Sequence, residues 1–277
     1  MKVAIQGIPG CFHQIAAINY FGKDVDVLPC LTFDELVNQV NNEATCDYGI
    51  MAIENSIAGS LLQNYKLLQK NKLKIIGETY LRIEQNLILP KGIELSEIKE
   101  IHSHPMAIYQ CDSFLKTLPD VKLIEMEDTA LAVKNLMTKS AVAKAAIGSL
   151  LAAELYNANV IENSIETNKN NYTRFLVISK KDTDSLKETN KSSVYLVLDH
   201  HKGSLAKVLD VIAKNSINLS KIQSFPIENS NWQYYFHLDV EYDAYRDFEN
   251  MVLQLKHHTQ DIKVLGNYKN GKPAQEA

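Results

Sequence analysis

Asn170-Asn171-Tyr172-Thr173-Arg174-Phe175 sets a hydroxyl beside a guanidinium at the mouth of an apolar strand, Phe175-Leu176-Val177-Ile178. Thr173 supplies a proton donor, Arg174 a planar fork that matches a carboxylate, and the asparagines neutral donors and acceptors. That set suits a small polar anion that must be held and then relieved of a hydroxyl or a carboxylate. The start of an ordinary strand after an Asn-rich turn uses the same residues, because Asn tolerates tight backbone conformations. The other junctions in the chain decide between the two.

Glu54-Asn55-Ser56-Ile57-Ala58-Gly59-Ser60 follows an apolar strand and precedes a helical segment. Such a junction leaves backbone N–H groups free at the helix start, ready for an anion. Asn55 and Ser56 add side-chain donors, and Gly59 permits close approach; helix capping by Ser56 or Ser60 is the simpler alternative. His102-Ser103-His104-Pro105, followed by Gln110-Cys111, is a third strand-to-helix junction. Pro105 fits the first helical position with His104 or Ser103 as cap, which carries Gln110 about one and a half turns on. No third ligand stands at a metal-like spacing from the two histidines, and no base accompanies Cys111. Gly7-Ile8-Pro9-Gly10-Cys11-Phe12-His13 lacks the full glycine pattern and the acidic partner of a dinucleotide site.

The elements that position these junctions alternate between strand and helix. Residues 3–5, 48–53 and 175–178 read as strands, 12–21, 33–40 and 61–68 as helices, and 74–89 as one long extended stretch closed by Pro90. Helices near 106–115, 129–137 and 147–156 follow. The alternation predicts two α/β lobes with a cleft between them. Residues 181–192 are polar and read as an exposed linker. Beyond them come strand 194–198, helix 205–214, strands 218–224 and 234–241, helix 244–255 and strand 262–265, the ferredoxin-like βαββαβ order.

With 277 residues the chain has room for about two domains. Its 45% hydrophobic and 22% charged residues supply an ordinary core, and a net charge of -4 without a basic run excludes a nucleic-acid partner. Cys11, Cys30, Cys46 and Cys111 are scattered, which points to reduced, structural thiols. The start of the chain lacks a signal-peptide profile and no apolar run approaches membrane-spanning length, so a cytoplasmic protein with no membrane partner is expected.

Taken together, the junctions resemble prephenate dehydratase. The family opening G-P-x-G-T/S-F-S stands here as Gly7-Ile8-Pro9-Gly10-Cys11-Phe12-His13; E-N-S-x-x-G-S as Glu54, Asn55, Ser56, Gly59 and Ser60. S-H-P with its Gln-Cys pair stands as Ser103, His104, Pro105, Gln110 and Cys111, and N-x-T-R-F as Asn171, Thr173, Arg174 and Phe175. The last third resembles the family's ACT regulatory domain, with Gly203-Ser204-Leu205 at its G-A-L position and Gln223-Ser224-Phe225-Pro226 at E-S-R-P.

The resemblance implies a two-lobed, type II periplasmic-binding-protein-like α/β catalytic domain over 1–180, a linker over 181–192 and a ferredoxin-like ACT domain over 193–270. It implies conversion of prephenate to phenylpyruvate, with loss of water and carbon dioxide and without metal or cofactor. Thr173 takes the donor role, Asn55 and Gln110 hold or polarise the substrate, and Glu54 and Ser103 support them. Ser56, Asn171, Arg174 and Phe175 are assigned to substrate binding. L-Phenylalanine is the expected effector, held by Gly203, Ser204, Leu205, Asn218, Gln223 and Ser224 in a homodimer or homotetramer. Departures from the pattern bear on this: Cys11 and His13 weaken a substrate role for the first loop, Lys169 for Pro loosens the approach to Thr173, and Gln223 and Phe225 replace a Glu and an Arg of the effector motif. Arogenate as substrate, or a non-catalytic binding protein on the same fold, are the rivals.

Overall fold

The computed structural model describes residues 1–271 apart from 43, 138–142, 183, 184, 187 and 228–232. The chain runs β1 (Lys2–Gln6), α1 (Phe12–Phe21), β2 (Asp26–Cys30), α2 (Phe33–Asn41), β3 (Tyr48–Asn55), β4 (Gly59–Ser60), α3 (Leu62–Asn71) and β5 (Lys74–Arg82). It continues through β6 (Asn86–Leu89), β7 (Glu100–Ser103), α4 (Pro105–Gln110), α5 (Asp112–Leu115), β8 (Lys122–Glu125), α6 (Thr129–Asn135), β9 (Lys144–Gly148), α7 (Leu150–Leu155), β10 (Asn159–Glu162) and β11 (Tyr172–Ser179). The last elements are β12 (Lys191–Val197), α8 (Ser204–Lys214), β13 (Asn218–Pro226), β14 (Tyr234–Glu241), α9 (Tyr245–Leu255) and β15 (Asp261–Tyr268).

Two compact units result: Met1–Leu67 with Thr79–Phe175, and Leu68–Glu78 with Leu176–Ala277. Helix α3 and strands β5 and β11 run on from one unit into the other.

In the first unit, one sheet has the strand order β2-β1-β3-β11-β5 and a second β10-β6-β9-β7-β8. Strand β1 pairs in parallel with both β2 and β3, so helices must cover both faces, and β3 is accordingly buried along nearly its whole length. Helices open on side-chain caps: Thr32 accepts from the Glu35 amide, Asp128 from Leu131 and Ser149 from Ala152. Gly10, at φ +95°, lies so close to α7 that a Cβ would come within 2.8 Å of the Ala152 Cα. Ser149 Oγ donates to the Gly10 carbonyl at 2.6 Å and the Tyr156 hydroxyl to Pro9 at 2.8 Å. The N-terminal loop of the first lobe is thereby clasped to the second.

The second unit carries β12 to β15 in the order β13-β14-β12-β15, all antiparallel, with α8 and α9 closing its core. This is the ferredoxin-like arrangement. Lys191 is buried at the start of β12, where its ammonium meets Glu78 at 2.9 Å and Glu241 at 3.4 Å.

Four local expectations need correction. The stretch 74–89 is two strands, β5 in one sheet and β6 in the other, so it crosses between the lobes. Ile147 belongs to β9, flanked by β6 and β7, and the helix starts only at Leu150 after the Ser149 cap; a short apolar run carries no period to tell strand from helix. The helix near 106–115 is interrupted at Cys111. Thr189, Lys191 and Ser192 are buried, and the polar side chains at the end of the segment read as exposed linker satisfy one another inside the second unit: Ser192 Oγ bonds Asn267 and Tyr242, and the Tyr242 hydroxyl donates to Thr189. All four cysteines are unpaired and buried. Among the described residues no helix is long and apolar enough to cross a membrane.

Candidate active site

Strands β3 and β11 are neighbours in the first sheet, and their ends bring Asn55 beside Thr173. The Asn55 carbonyl accepts the backbone N–H groups of Ile57 at 3.0 Å and Ala58 at 2.9 Å, which fixes the orientation of the amide. Its Nδ2 then donates to Asn171 Oδ1 at 2.8 Å, Thr173 Oγ1 at 3.0 Å and the Tyr172 carbonyl at 3.2 Å. Thr173 therefore receives a hydrogen bond on its oxygen and keeps its own proton for another partner.

Both residues line a cleft of about 390 Å³ in the first unit, within the roughly 300–1,000 Å³ usual for small-ligand sites. Its walls combine apolar side chains, among them Phe33, Leu61, Ile83, Met106 and Phe175, with Gln85, Gln110, His13, His104, Glu127 and Asp128. A larger hollow of about 600 Å³ nearby shares Gln110 but lacks Asn55 and Thr173, and its wall is mostly aliphatic.

Each proposed site residue has a definite place. Thr173, Phe175, Asn55 and Gln110 reach the cleft. Asn171 is buried behind it and anchors Asn55. Strand alternation turns Arg174 away from the face shared by Thr173 and Phe175, and it is absent from the lining. A carboxylate clamp by Arg174 therefore has no geometric support. Glu54 stands on the opposite face of β3 from Asn55, paired in register with Ser60. Ser56 ties the loop to β11, accepting the Tyr172 amide at 2.9 Å and donating to the Asn170 carbonyl at 3.0 Å. Ser103 is fully buried and donates to the Ile147 carbonyl at 2.8 Å. These three residues brace the site without lining it. Lys169 is held by the Ser164 carbonyl and Glu166, so the approach to Thr173 is tied down. His104 caps α4 through Nδ1, and burial lowers its pKa.

Three lining residues were not legible as site residues. Gln85 follows the crossing between sheets, and its amide donates to Gln110 Oε1 at 3.3 Å. That contact leaves both Nε2 hydrogens of Gln110 available to a ligand. Asp128 reads in sequence only as a helix cap, and burial raises its pKa. His13 lies against Phe33 and Phe175, and its Nε2 accepts the Ala52 amide at 3.3 Å. That bond places the ring proton on Nδ1 in the neutral form. The first loop, with Cys11, Phe12 and His13 in the lining, thus contributes to the cleft after all.

Burial lowers the pKa of His13 from 6.5 to about 3. The unfolded chain takes up a proton near pH 6.5 that the folded chain refuses until about pH 3, so this residue's contribution is whole above 6.5 and is lost as pH falls through that window. A His13→Phe variant should flatten the fall in melting temperature between pH 6.5 and 4 relative to the parent chain. Parallel melting curves over that range would show that His13 titrates normally in the fold. Cys111 is no nucleophile, since burial pushes its thiol up to about 12.

In the second unit, Ser204 and Leu205 line a small hollow of about 140 Å³ together with His200, His201, Tyr234 and Phe236. Gly203 sits at φ +88° as the N-cap of α8. Asn218 donates to Glu241 Oε2 at 3.2 Å, Gln223 to the Ser224 carbonyl at 3.2 Å, and none of Asn218, Gln223 and Ser224 lines that hollow. Phe225 is a core residue, stacked on Tyr235 at 4.9 Å.

Comparison with known proteins gives a consistent answer. The prephenate dehydratase family model matches residues 3–183. The bifunctional chorismate mutase/prephenate dehydratase of Aquifex aeolicus is 35% identical over 97% of this chain and 73% of its own length. Arogenate dehydratase 2 of Petunia hybrida is 32% identical over 97% of this chain and 71% of its own. The crystal structure of a prephenate dehydratase from Arthrobacter aurescens, in complex with L-Phe, superposes with a TM-score of 0.88 at 26% identity, covering 99% of this chain and 92% of that one. Sequence motifs, fold and relatives agree: the chain belongs to the prephenate dehydratase family.

Proposed function

We propose that the cleft converts prephenate to phenylpyruvate, carbon dioxide and water, with Thr173 as proton donor to the departing hydroxyl. The observation that carries this assignment is the Asn55 Nδ2 to Thr173 Oγ1 hydrogen bond at the cleft wall. As the substrate's carboxylate carbon leaves, its electron pair enters the ring and the hydroxyl is expelled, which makes the ring aromatic. The hydroxyl needs one proton to depart as water. Thr173 gives it, and negative charge growing on Oγ1 is met by the amide of Asn55, itself held by two backbone N–H groups. Gln110 Nε2 offers donors to a carboxylate, and the apolar walls receive the ring. Much of the rate comes from holding both leaving groups in register, because a neutral Thr is a weak acid.

Dehydration of arogenate is the second reading, favoured by Glu127 and Asp128 in the lining, whose carboxylates suit an ammonium. The βαββαβ unit is read as an ACT domain that binds L-phenylalanine between copies of the chain in a dimer or tetramer. Ser204 and Leu205, at their small hollow, and Gly203, at the start of α8, are its first contacts; Asn218, Gln223 and Ser224 form the second part of the motif.

Phenylpyruvate formation from prephenate, followed by absorbance with or without phenylalanine, and phenylalanine formation from arogenate, followed by chromatography, test these points together. Turnover of prephenate that falls on adding phenylalanine is the expected result. Turnover of arogenate alone would transfer the reaction to the amino-acid substrate, and turnover of neither would remove the catalytic reading. An unchanged rate with phenylalanine would remove the effector assignment while leaving the chemistry.

A further inference from the structure

We propose that Gln85 touches the substrate: its side-chain carbonyl accepts a hydrogen bond from the leaving hydroxyl and so fixes how that hydroxyl meets Thr173. The inference rests on the dehydratase reading above.

Gln85 lines the cleft with Asn55, Gln110 and Thr173 and is only 3% exposed. Its Oε1 is buried without a hydrogen-bond partner. Buried polar atoms in this state are rare and destabilising, so an orphan at a ligand site points to a partner that the ligand brings. The residue is otherwise fully tied. Its N–H donates to Glu166 Oε2 at 2.9 Å, its backbone carbonyl accepts the Ile165 amide at 2.7 Å, and its Nε2 donates to Gln110 Oε1 at 3.3 Å. Glu166 is in turn held by Ser164 Oγ at 2.6 Å and lies 3.7 Å from Arg82 Nη2. The backbone cannot drift to relieve the orphan, and while Gln110 presents its Oε1 the carbonyl of Gln85 is the end left over.

The substrate's inventory answers this need. The two carboxylates and the keto oxygen of prephenate only accept, and the ring hydroxyl is its one donor. Thr173 and Gln110 Nε2 are donors for the acceptor groups. Glu127 and Asp128 also accept, but Asp128 already receives the Leu131 amide at 2.8 Å, and a carboxylate repels a dianion. The neutral carbonyl of Gln85 therefore suits the hydroxyl best. With its proton bound to Gln85, the hydroxyl turns a lone pair toward Thr173. The carbon–carboxylate bond breaks and its electron pair enters the ring. The carbon–oxygen bond then breaks, and the oxygen leaves as water carrying its own proton and that of Thr173, which regains one from solvent. Gln85 transfers nothing.

The test compares the parent chain with Gln85→Met and Gln85→Glu for prephenate turnover, inhibition by phenylpyruvate, and thermal melting. Gln85→Met should lower kcat about 10- to 100-fold while phenylpyruvate, which lacks the ring hydroxyl, inhibits both forms equally. Gln85→Glu keeps an acceptor, since the Gln110 amide can turn to donate to it. It should recover most of kcat and raise KM through repulsion of the dianion. A Gln85→Met kcat within twofold of the parent overturns the assignment. So does a parallel loss of phenylpyruvate binding, or a Gln85→Glu variant that folds yet turns over no faster than Gln85→Met. A parent chain that turns over neither prephenate nor arogenate would instead end the functional reading itself, and Gln85's role with it.

Discussion

Thr173→Val should lower kcat by about 10²- to 10⁴-fold and leave KM within a few-fold of the parent value. The substitution replaces the hydroxyl with a methyl group, and valine keeps the β-branched shape that suits β11. Asn55 Nδ2 retains two acceptors, Asn171 Oδ1 and the Tyr172 carbonyl, so the neighbourhood stays hydrogen-bonded. The lost interaction is strongest when the hydroxyl leaves, which is why the change falls on kcat rather than KM. Thr173→Ser should return most of the rate. Steady-state kinetics on the three forms decides it: a Thr173→Val enzyme near parental speed would assign the proton to another donor.

Lys191→Met should destabilise the second unit by about 3–5 kcal/mol. The ammonium is 1% exposed and the Glu78 carboxylate 0%. Removing the cation takes the ammonium at 2.9 Å away from a buried Glu78 that keeps the Gly271 amide at 3.1 Å among its neighbours. Glu241, partly exposed, suffers less. The double variant Lys191→Met with Glu78→Gln removes both charges and should recover much of the loss, because an uncompensated buried carboxylate is the costly species. Denaturant midpoints of the single and double variants measure this. A single variant within about 1 kcal/mol of the parent would mean that water reaches the pair.

The parts of this molecule that a sequence reveals are those where one residue type has one physical job. Pro105 at a first helical turn, the apolar run after Thr173 and the βαββαβ order of the last third are of this kind, and each lies where expected. Asn55, Thr173 and Gln110, singled out by three separate motifs, line the same cleft. The place of Arg174 was not legible, because a guanidinium beside a hydroxyl in sequence lies across the strand from it in space. Gln85 and His13 were opaque for another reason. A glutamine after an extended stretch is usually solvated, and nothing local says that the stretch crosses between sheets and buries it. The same holds for Lys191, whose partner Glu78 lies on a distant strand.

The second unit is made of two separated pieces of chain, Leu68–Glu78 and the segment from Leu176 onward. During synthesis, at roughly 5–20 residues per second, the first piece emerges long before β12 to β15 exist to receive it. Leu73 and Ile75, buried in the finished protein, belong to this piece, which waits on the order of tens of seconds for the rest of its unit. Folding cannot proceed domain by domain along the chain, and the nascent protein must carry a sticky edge that a chaperone or a neighbouring nascent chain is free to meet first.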